Sequence, residues 1–562
     1  MTQAKPSDRG RWSLIASVVM IGLISLVQPG CNCGSSDAFS PATIASVFPV
    51  QNSDTAPVNT NVVAFFGIDM NETTINDTTF TLTERGGAQQ SAAVSYDPAT
   101  RSATLDPDTD LISGTEYSAT ISSTVEDAAG NTPLASDFVW SFTISQATEL
   151  VSKDIDAVVG NDVSENSAID GTGRYIVFES EATNLVTVFT TFNRNHIYRK
   201  DIITGEVLLA SSDTDGLEAN NSSFTPRISD DGRFVVFASN ATNLSSTIST
   251  GGILQVFIKD MEDDSVDLVS RDDTGLIAAN VIAANPDVNN DGRYIVFESS
   301  ASNLSTLANN SFSQIYRKDM SDESVEMISR NTSLSAGGSG NSNRPAMSPD
   351  ARFVVFDSDA GNDIVSGATS DRHVYLVDMN SPDITEQISV NSSLVQGNAA
   401  SVNASVSDDG VFIAFESIAT NLITGDTNGA LSDIFRRDRT APGLTQLVST
   451  PDGTTSGNDA SIAASISRDG TYVAFESAAT NLVIETSLGL TDIFVRDFST
   501  APSVTIQKIN LSQSGSEASN NSGNASISSD GRYVSFVSPF NYDITDTNTI
   551  DDVYRSYNST FQ

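Results

Sequence analysis

From residue 149 onward, apolar and polar positions repeat with a fixed period. The unit is seen in Asp291-Gly292-Arg293-Tyr294-Ile295-Val296-Phe297-Glu298-Ser299. Its phenylalanine recurs as Phe178, Phe237, Phe297, Phe356, Phe415, Phe475 and Phe536, at spacings of 59, 60, 59, 59, 60 and 61 residues. Self-similarity at such a period signals a solenoid, a propeller or an array. Within one period, residues 224–270 fall into four short strand patterns. The first leads into a turn at Asp231-Gly232, where glycine supplies the positive φ. Phe234-Val235-Val236-Phe237 follows as an uninterrupted apolar run, which predicts a strand buried on both faces. A long polar loop precedes the third pattern at 255–260, and a short turn precedes the fourth at 266–270. Four antiparallel strands with a doubly buried second strand describe one propeller blade, because each blade packs face to face against two neighbours.

Counting strands predicts a closed ring of seven blades. The outer-strand pattern appears first at Leu150-Val151-Ser152, before any blade, and then near Leu209, Val269, Ile328, Ile388, Val448 and Ile509. The seventh blade lacks one of its own, so residues 149–153 are expected to complete it and remove the free edges. Upstream, residues 42–146 alternate differently. Phe138, Trp140, Phe142 and Ile144 mark a strand with one buried face. Residues 79–82, 92–96 and 117–121 read as further strands, with turns at Gly86-Gly87, Asp106-Pro107 and Gly130-Asn131. Strands at that spacing over about 100 residues suggest a sandwich. The fold class is therefore all-β, a β-sandwich followed by a seven-bladed β-propeller over 149–562.

The N-terminus reads as a targeting segment. Lys5, Arg9 and Arg11 precede an apolar run from Trp12 to Val27, short for a transmembrane helix, and then Gln28-Pro29-Gly30-Cys31. This stretch resembles a bacterial lipoprotein signal, although Gln28 stands where an aliphatic residue is usual. The resemblance implies a signal peptide over 1–30, lipidation at Cys31 and a tether over 31–41. An ordinary secretory signal cleaved nearby is the alternative. Cys31 and Cys33 are the only cysteines, so no disulfide framework holds either domain. The net charge of −42 argues against nucleic acid and against electrostatic docking to anionic lipid.

Two further resemblances follow. Thr73-Thr74-Ile75, Phe80-Thr81-Leu82, Val94-Ser95-Tyr96-Asp97, Gly114-Thr115-Glu116-Tyr117, Asp127-Ala128-Ala129-Gly130-Asn131 and Trp140-Ser141-Phe142-Thr143 resemble, in order, bacterial Ig-like domains of the S-layer (SbsA) type. That implies a spacer or adhesion module, with Trp140 and Tyr117 read as core. The stretch from Ser467 to Ser477 together with Asp492 to Asp497 resembles the WD40-like repeat of TolB-type propellers. Those carry six blades behind an α/β domain, so a role in the Tol system does not carry over.

Catalysis has few candidates. His196 and His373 are the only histidines; they hold equivalent places in blades 1 and 4, where other blades carry Gln255, Gln314, Asp433, Asp492 and Asp552. A metal shared across the ring would need a third ligand. The Asn series Asn184, Asn243, Asn303, Asn362, Asn421 and Asn481 is read as bonding loop backbone, with Tyr542 in the seventh place. The Asp series Asp201, Asp260, Asp319, Asp378, Asp438 and Asp497 is read as capping turns. The loop Asp426-Thr427-Asn428-Gly429 before Asp433, loosely copied by Asp543, Asp546, Asn548 and Asp551, suits Ca²⁺ or a plain Asp/Asn/Gly turn. No catalytic residue and no other cofactor is assigned.

These readings lead to a monomeric, lipid-anchored binding or scaffolding protein of the bacterial cell envelope, periplasmic or surface-exposed. The only membrane link expected is the N-terminal lipid, and the partner expected is an envelope protein or glycan. A hydrolase or lyase acting on an extracellular polymer is the alternative. The second-to-third and outer-to-inner connections are long, and both are expected on one rim, where Thr187, Thr247 and Asn428 would touch the ligand. Gly205 and Asp263 mark the opposite, tight-turn rim.

Overall fold

The structure, a computed structural model, describes residues 44–558 apart from loop positions 54–55, 57–59, 86, 109–110, 112–114, 145–147, 187–193, 441–442, 484–487, 500–504, 512–517 and 543–545. Cys31, Thr187 and Asp543 lie outside the described residues. No helix among those described is long and apolar enough to cross a membrane.

Seven strands between Ile44 and Thr143 form two antiparallel sheets. One orders Ile44–Phe48, Val62–Phe66, Ser102–Pro107 and Ala92–Asp97; the other orders Phe80–Glu84, Glu116–Ile121 and Phe138–Thr143. The alternating residues Phe80, Leu82, Tyr117, Ala119, Trp140 and Phe142 turn inward and are buried. The Trp140 indole nitrogen donates to the Pro49 carbonyl at 3.1 Å, so this ring is core and not a binding surface. Asp106-Pro107 is not a turn: it ends a strand, and Pro107 pairs with Ala92 at the sheet's end, where a missing N–H is tolerated.

Seven four-stranded antiparallel sheets follow. In blade 2 the inner strand is Ser223–Ile228, the second Phe234–Ser239, the third Gln255–Asp260 and the outer Val266–Leu268. Each inner strand lies against those of both neighbouring blades, and Gly523–Ile527 of blade 7 lies against Ser164–Ile169 of blade 1, so the ring closes. The outer strand of blade 7 is Thr148–Leu150, paired antiparallel with Asp552–Tyr557 through Leu150↔Tyr554 and Glu149↔Arg555. The repeat phenylalanine explains the period. In every blade it is fully buried against an aromatic of the third strand. The pair is stacked in six blades, as in Phe178 on Tyr198 at 5.9 Å and Phe536 on Tyr554 at 5.8 Å, and tilted by 31° in blade 4, Phe356 with Tyr375.

The turn glycines do more than supply φ. Gly232, at φ 75°, carries the Tyr175 ring of the preceding blade, and a Cβ there would stand 2.1 Å from Tyr175 Cδ2. Phe412 on Gly470 and Tyr533 on Gly173 repeat the contact, the last joining blade 7 to blade 1. In blades 1, 5 and 7 an arginine of the third strand covers the ring and donates to the turn carbonyl. Arg199 lies 4.5 Å from the Tyr175 ring and 2.6 Å from Gly232 O; Arg436 and Arg555 do likewise at Gly470 and Gly173. Blade 4 places Ala351 at φ 61° in the same turn. The expected outcome is therefore asymmetric: Gly470→Ala lowers stability by about 1–3 kcal/mol through strain and overpacking against Phe412, whereas Ala351→Gly stays within about 1 kcal/mol of the wild type. Chemical denaturation of the two variants measures both.

Candidate functional site

The inner strands do not pair with one another, so their N–H groups on the channel side need other acceptors. Near the start of each, a β-bulge holds a left-handed residue: Asn166, Thr225, Asn285, Arg344, Asn403, Ala463 and Asn524, with φ between 49° and 56°. Carboxylates of the preceding blade take four of these amides. Thr225 N donates to Glu179 at 2.7 Å, Arg344 N to Glu298 at 2.7 Å, Ala463 N to Glu416 at 3.4 Å and Asn524 N to Glu476 at 2.7 Å. Further along, Met347 N donates to Asp287 at 2.8 Å and Ile527 N to Ser465 at 3.2 Å. The bulges line a central cavity of about 510 Å³ whose wall is largely amide, hydroxyl, proline and alanine. Arg227, Asp287 and Arg344 are its charged groups. Burial pushes the Asp287 carboxyl up to about 6, opposed by the charge of Arg227.

The two ends of this channel differ. At the tight-turn end a belt of backbone bonds runs from turn to turn: Asp408 N to Arg468 O, Arg468 N to Ser529 O, Asp530 N to Gly171 O and Gly171 N to Asp230 O. Asn290 N reaches Pro349 O as a separate link, and Pro349 has no N–H to pass on to blade 5. Arg468 also pairs with Asp408 and reaches Asp230 Oδ2 of blade 2 at 3.3 Å, while Ser529 Oγ donates to Asp230 Oδ1 at 2.7 Å. Side chains of blades 2, 5, 6 and 7 are thereby tied over this end.

At the other end stand the second-to-third connections, with Thr247 exposed. The Asn series does bond backbone there. Asn243 accepts from Asn220 N at 2.8 Å and donates to Glu218 O at 2.9 Å, and Asn184, Asn303 and Asn421 repeat both bonds. Asn362 departs from the series: it accepts from Gly367 N, and Asp363 takes Ser339 N at 2.9 Å instead. The Asp series caps turns as read, and in blades 1 to 4 it also pairs with the arginine after the turn, as Asp319 does with Arg293 at 2.6 Å. The outer-to-inner connections do not stay on the rim. Five of them, among the described residues, begin as hairpins closed by bridges such as Lys153 with Val159 and Arg271 with Ala278. The next blade holds them: Lys200 Nζ donates to Lys153 O at 2.9 Å and Lys318 Nζ to Asp272 O at 3.1 Å.

Each histidine bonds within its own blade: His196 Nδ1 lies 3.2 Å from Ser211 Oγ, and His373 Nδ1 3.2 Å from Ser389 Oγ. The same outer-strand serine accepts the next backbone N–H, as Ser211 does from Ile197 at 3.0 Å. Gln255 and Gln314 fill the same place, accepting from Ser270 and Ser329 at 2.6 Å. The position is a structural bond between third and outer strands.

Residues 38–144 match the family described as Bacterial Ig-like domain. No curated protein matches the chain. Among solved structures the chain is similar to TolB from Acinetobacter baumannii, with 10% identity, 76% of this chain and 79% of that chain covered, and a TM-score of 0.35. It is similar to an oligogalacturonate lyase in complex with manganese, with 10% identity, 73% and 90% covered, and a TM-score of 0.41. The β-propeller domain of the Trilobed protease from Pyrococcus furiosus gives 11% identity, 70% and 95% covered, and a TM-score of 0.39. Residues 38–144 are a bacterial Ig-like domain, and the seven four-stranded sheets after them close into a β-propeller.

The channel wall makes stability depend on pH. Burial pushes Glu179 and Glu476 up to about 7 from 4.5, against the backbone bonds from Thr225 and Asn524. A carboxyl with a raised folded pKa costs nothing below the unfolded value and destabilises progressively as pH rises from about 4.5 to about 7. Glu476→Gln is expected to gain on the order of 1–3 kcal/mol over the wild type at pH 8 and nothing at pH 4. Melting curves of both proteins across this range provide the check.

Proposed function

We propose that the chain is a lipid-anchored binding or scaffolding protein of the bacterial cell envelope. Cys31 carries the lipid, the Ig-like domain is the spacer, and the ligand, an envelope protein or glycan, sits on the long-loop rim of the propeller. The observation that carries this reading is the inequality of the channel ends. The Arg468 bridge to Asp230 and Asp408 obstructs the tight-turn end, which favours approach to the amide-rich cavity from the rim bearing the second-to-third loops. Long loops on a rigid frame are where binding residues concentrate. One observation favours a hydrolase or lyase acting on an extracellular polymer: the raised Asp287 carboxyl faces the cavity beside Arg227. Polymer cleavage by the purified chain that is lost in Asp287→Asn would establish that second reading.

The binding reading is tested by capture from solubilised envelopes on immobilised protein. Thr247→Arg is expected to weaken capture of the bound component at least about tenfold, equivalent to about 1.4 kcal/mol. Asp263→Arg, on the opposite rim, should leave it unchanged, and both variants should melt as the wild type does. The reverse pattern would overturn the assignment of faces.

A further inference from the structure

Blades 5, 6 and 7 open their third strands with Asp433, Asp492 and Asp552, each no more than 1% exposed. One oxygen of each is held from the outer strand: Ser449 donates to Asp433 at 2.8 Å, Asn510 to Asp492 at 2.9 Å and Ser152 to Asp552 at 2.6 Å. The second oxygens differ. Asp492 Oδ2 has Lys508 Nζ at 2.7 Å. Lys508 stands opposite Phe494, the place that Leu447 takes opposite Phe435 in blade 5 and Leu150 opposite Tyr554 in blade 7. In those two blades Asp433 Oδ2 and Asp552 Oδ2 are buried without a hydrogen-bond partner. A carboxylate buried without a counter-charge is costly, and native folds pair it.

The blades that lack the lysine share another feature. Asp426-Thr427-Asn428 precedes Asp433 and Asp546-Thr547-Asn548 precedes Asp552, whereas residues 479–491 of blade 6 contain no such triplet. In blade 5 the Asn428 amide nitrogen is spent on Gly457 O at 2.9 Å, which leaves its buried Oδ1 without a donor. Asn428 and Ser456 approach the Asp433 carboxylate without hydrogen-bond geometry to Oδ2, and Asp426 lies close enough to repel it. Ser456 Oγ is 3.5 Å from Asp426 Oδ1, and the buried Ser432 hydroxyl is also without a partner. In blade 7, Asp546 is buried at 3%, its backbone-bonded Asn548 approaches Asp552, and Asp551 adds a further negative charge.

We propose that blades 5 and 7 each bind a divalent cation of the calcium class, held by Asp426, Asn428 and Asp433 in one and by Asp546, Asn548 and Asp552 in the other. The ion does there what the Lys508 ammonium does in blade 6. Carboxylate, carboxamide and hydroxyl oxygens, completed by water, are the ligands calcium prefers. Each ion neutralises two neighbouring carboxylates and ties a second-to-third loop to the blade below it. The proposal is independent of what the rim binds.

Calorimetric titration of the EDTA-stripped full chain with CaCl₂, alongside melting curves, tests it. Two ions per chain are expected, with Kd on the order of 10⁻⁴–10⁻³ M as in extracellular modules, and Tm rises with calcium. Asp426→Asn loses one ion, and Asp426→Asn with Asp546→Asn loses both. Leu447→Lys, which copies blade 6, also loses one ion and raises the Tm of the stripped protein. A wild type that takes up no calcium at about ten times that Kd, or a double variant that still binds two ions, would overturn the proposal.

Discussion

The ring depends on a joint between blades: an aromatic ring lying on a turn glycine of the next blade. Tyr175 on Gly232, Phe234 on Gly292, Phe353 on Gly410, Phe412 on Gly470, Tyr472 on Gly531 and Tyr533 on Gly173 leave no room for a Cβ. The glycine is required twice over, by its positive φ and by the ring above it. Arginines on the far side of several rings fasten the joint by bonding the turn carbonyl. Because Tyr533 and Arg555 make the same joint onto Gly173, blade 7 is locked to blade 1 by side chains as well as by the strand Thr148–Leu150.

A frame fixed at its tight turns settles much of the rest. The turns converge, and their backbone belt with Arg468 ties that end of the channel. The inner strands cannot bond one another, so glutamates of the preceding blade take their amides and become buried acids as a result. Among the described residues the connections of the opposite rim carry no such belt, and their sequences differ from blade to blade. Blades 5, 6 and 7 show what that difference brings: one carboxylate position is balanced by a lysine in one blade and surrounded by loop oxygens in two others.

The blades were legible because their core position is singular. A phenylalanine packed on a third-strand aromatic fills the centre of each sheet, so the period is carried in the chain. The displaced outer strand was legible from the same counting. His196 and His373 were legible as a shared position, though not as partners of Ser211 and Ser389. The left-handed bulge at the inner strands escaped notice, although its signal is present: Asn166, Asn285, Asn403 and Asn524 are the residue type that tolerates this conformation best after glycine. The hairpins that leave the rim could not be read from the chain, because Lys200 and Lys318 hold them from the neighbouring blade. Asp106-Pro107 misled for a different reason. A dipeptide common in turns also ends a strand where no N–H is needed.

The closed ring is the claim on which everything else stands, and a cross-link tests it most directly. Glu149 and Arg555 face each other across the closing strand pair. A chain with Glu149→Cys and Arg555→Cys, with Cys31 and Cys33 replaced by serine, should form an intramolecular disulfide in air and then melt at a higher temperature than its reduced form. Free thiols under oxidation, or a disulfide found only between chains, would contradict the closure of blade 7 by residues 148–150.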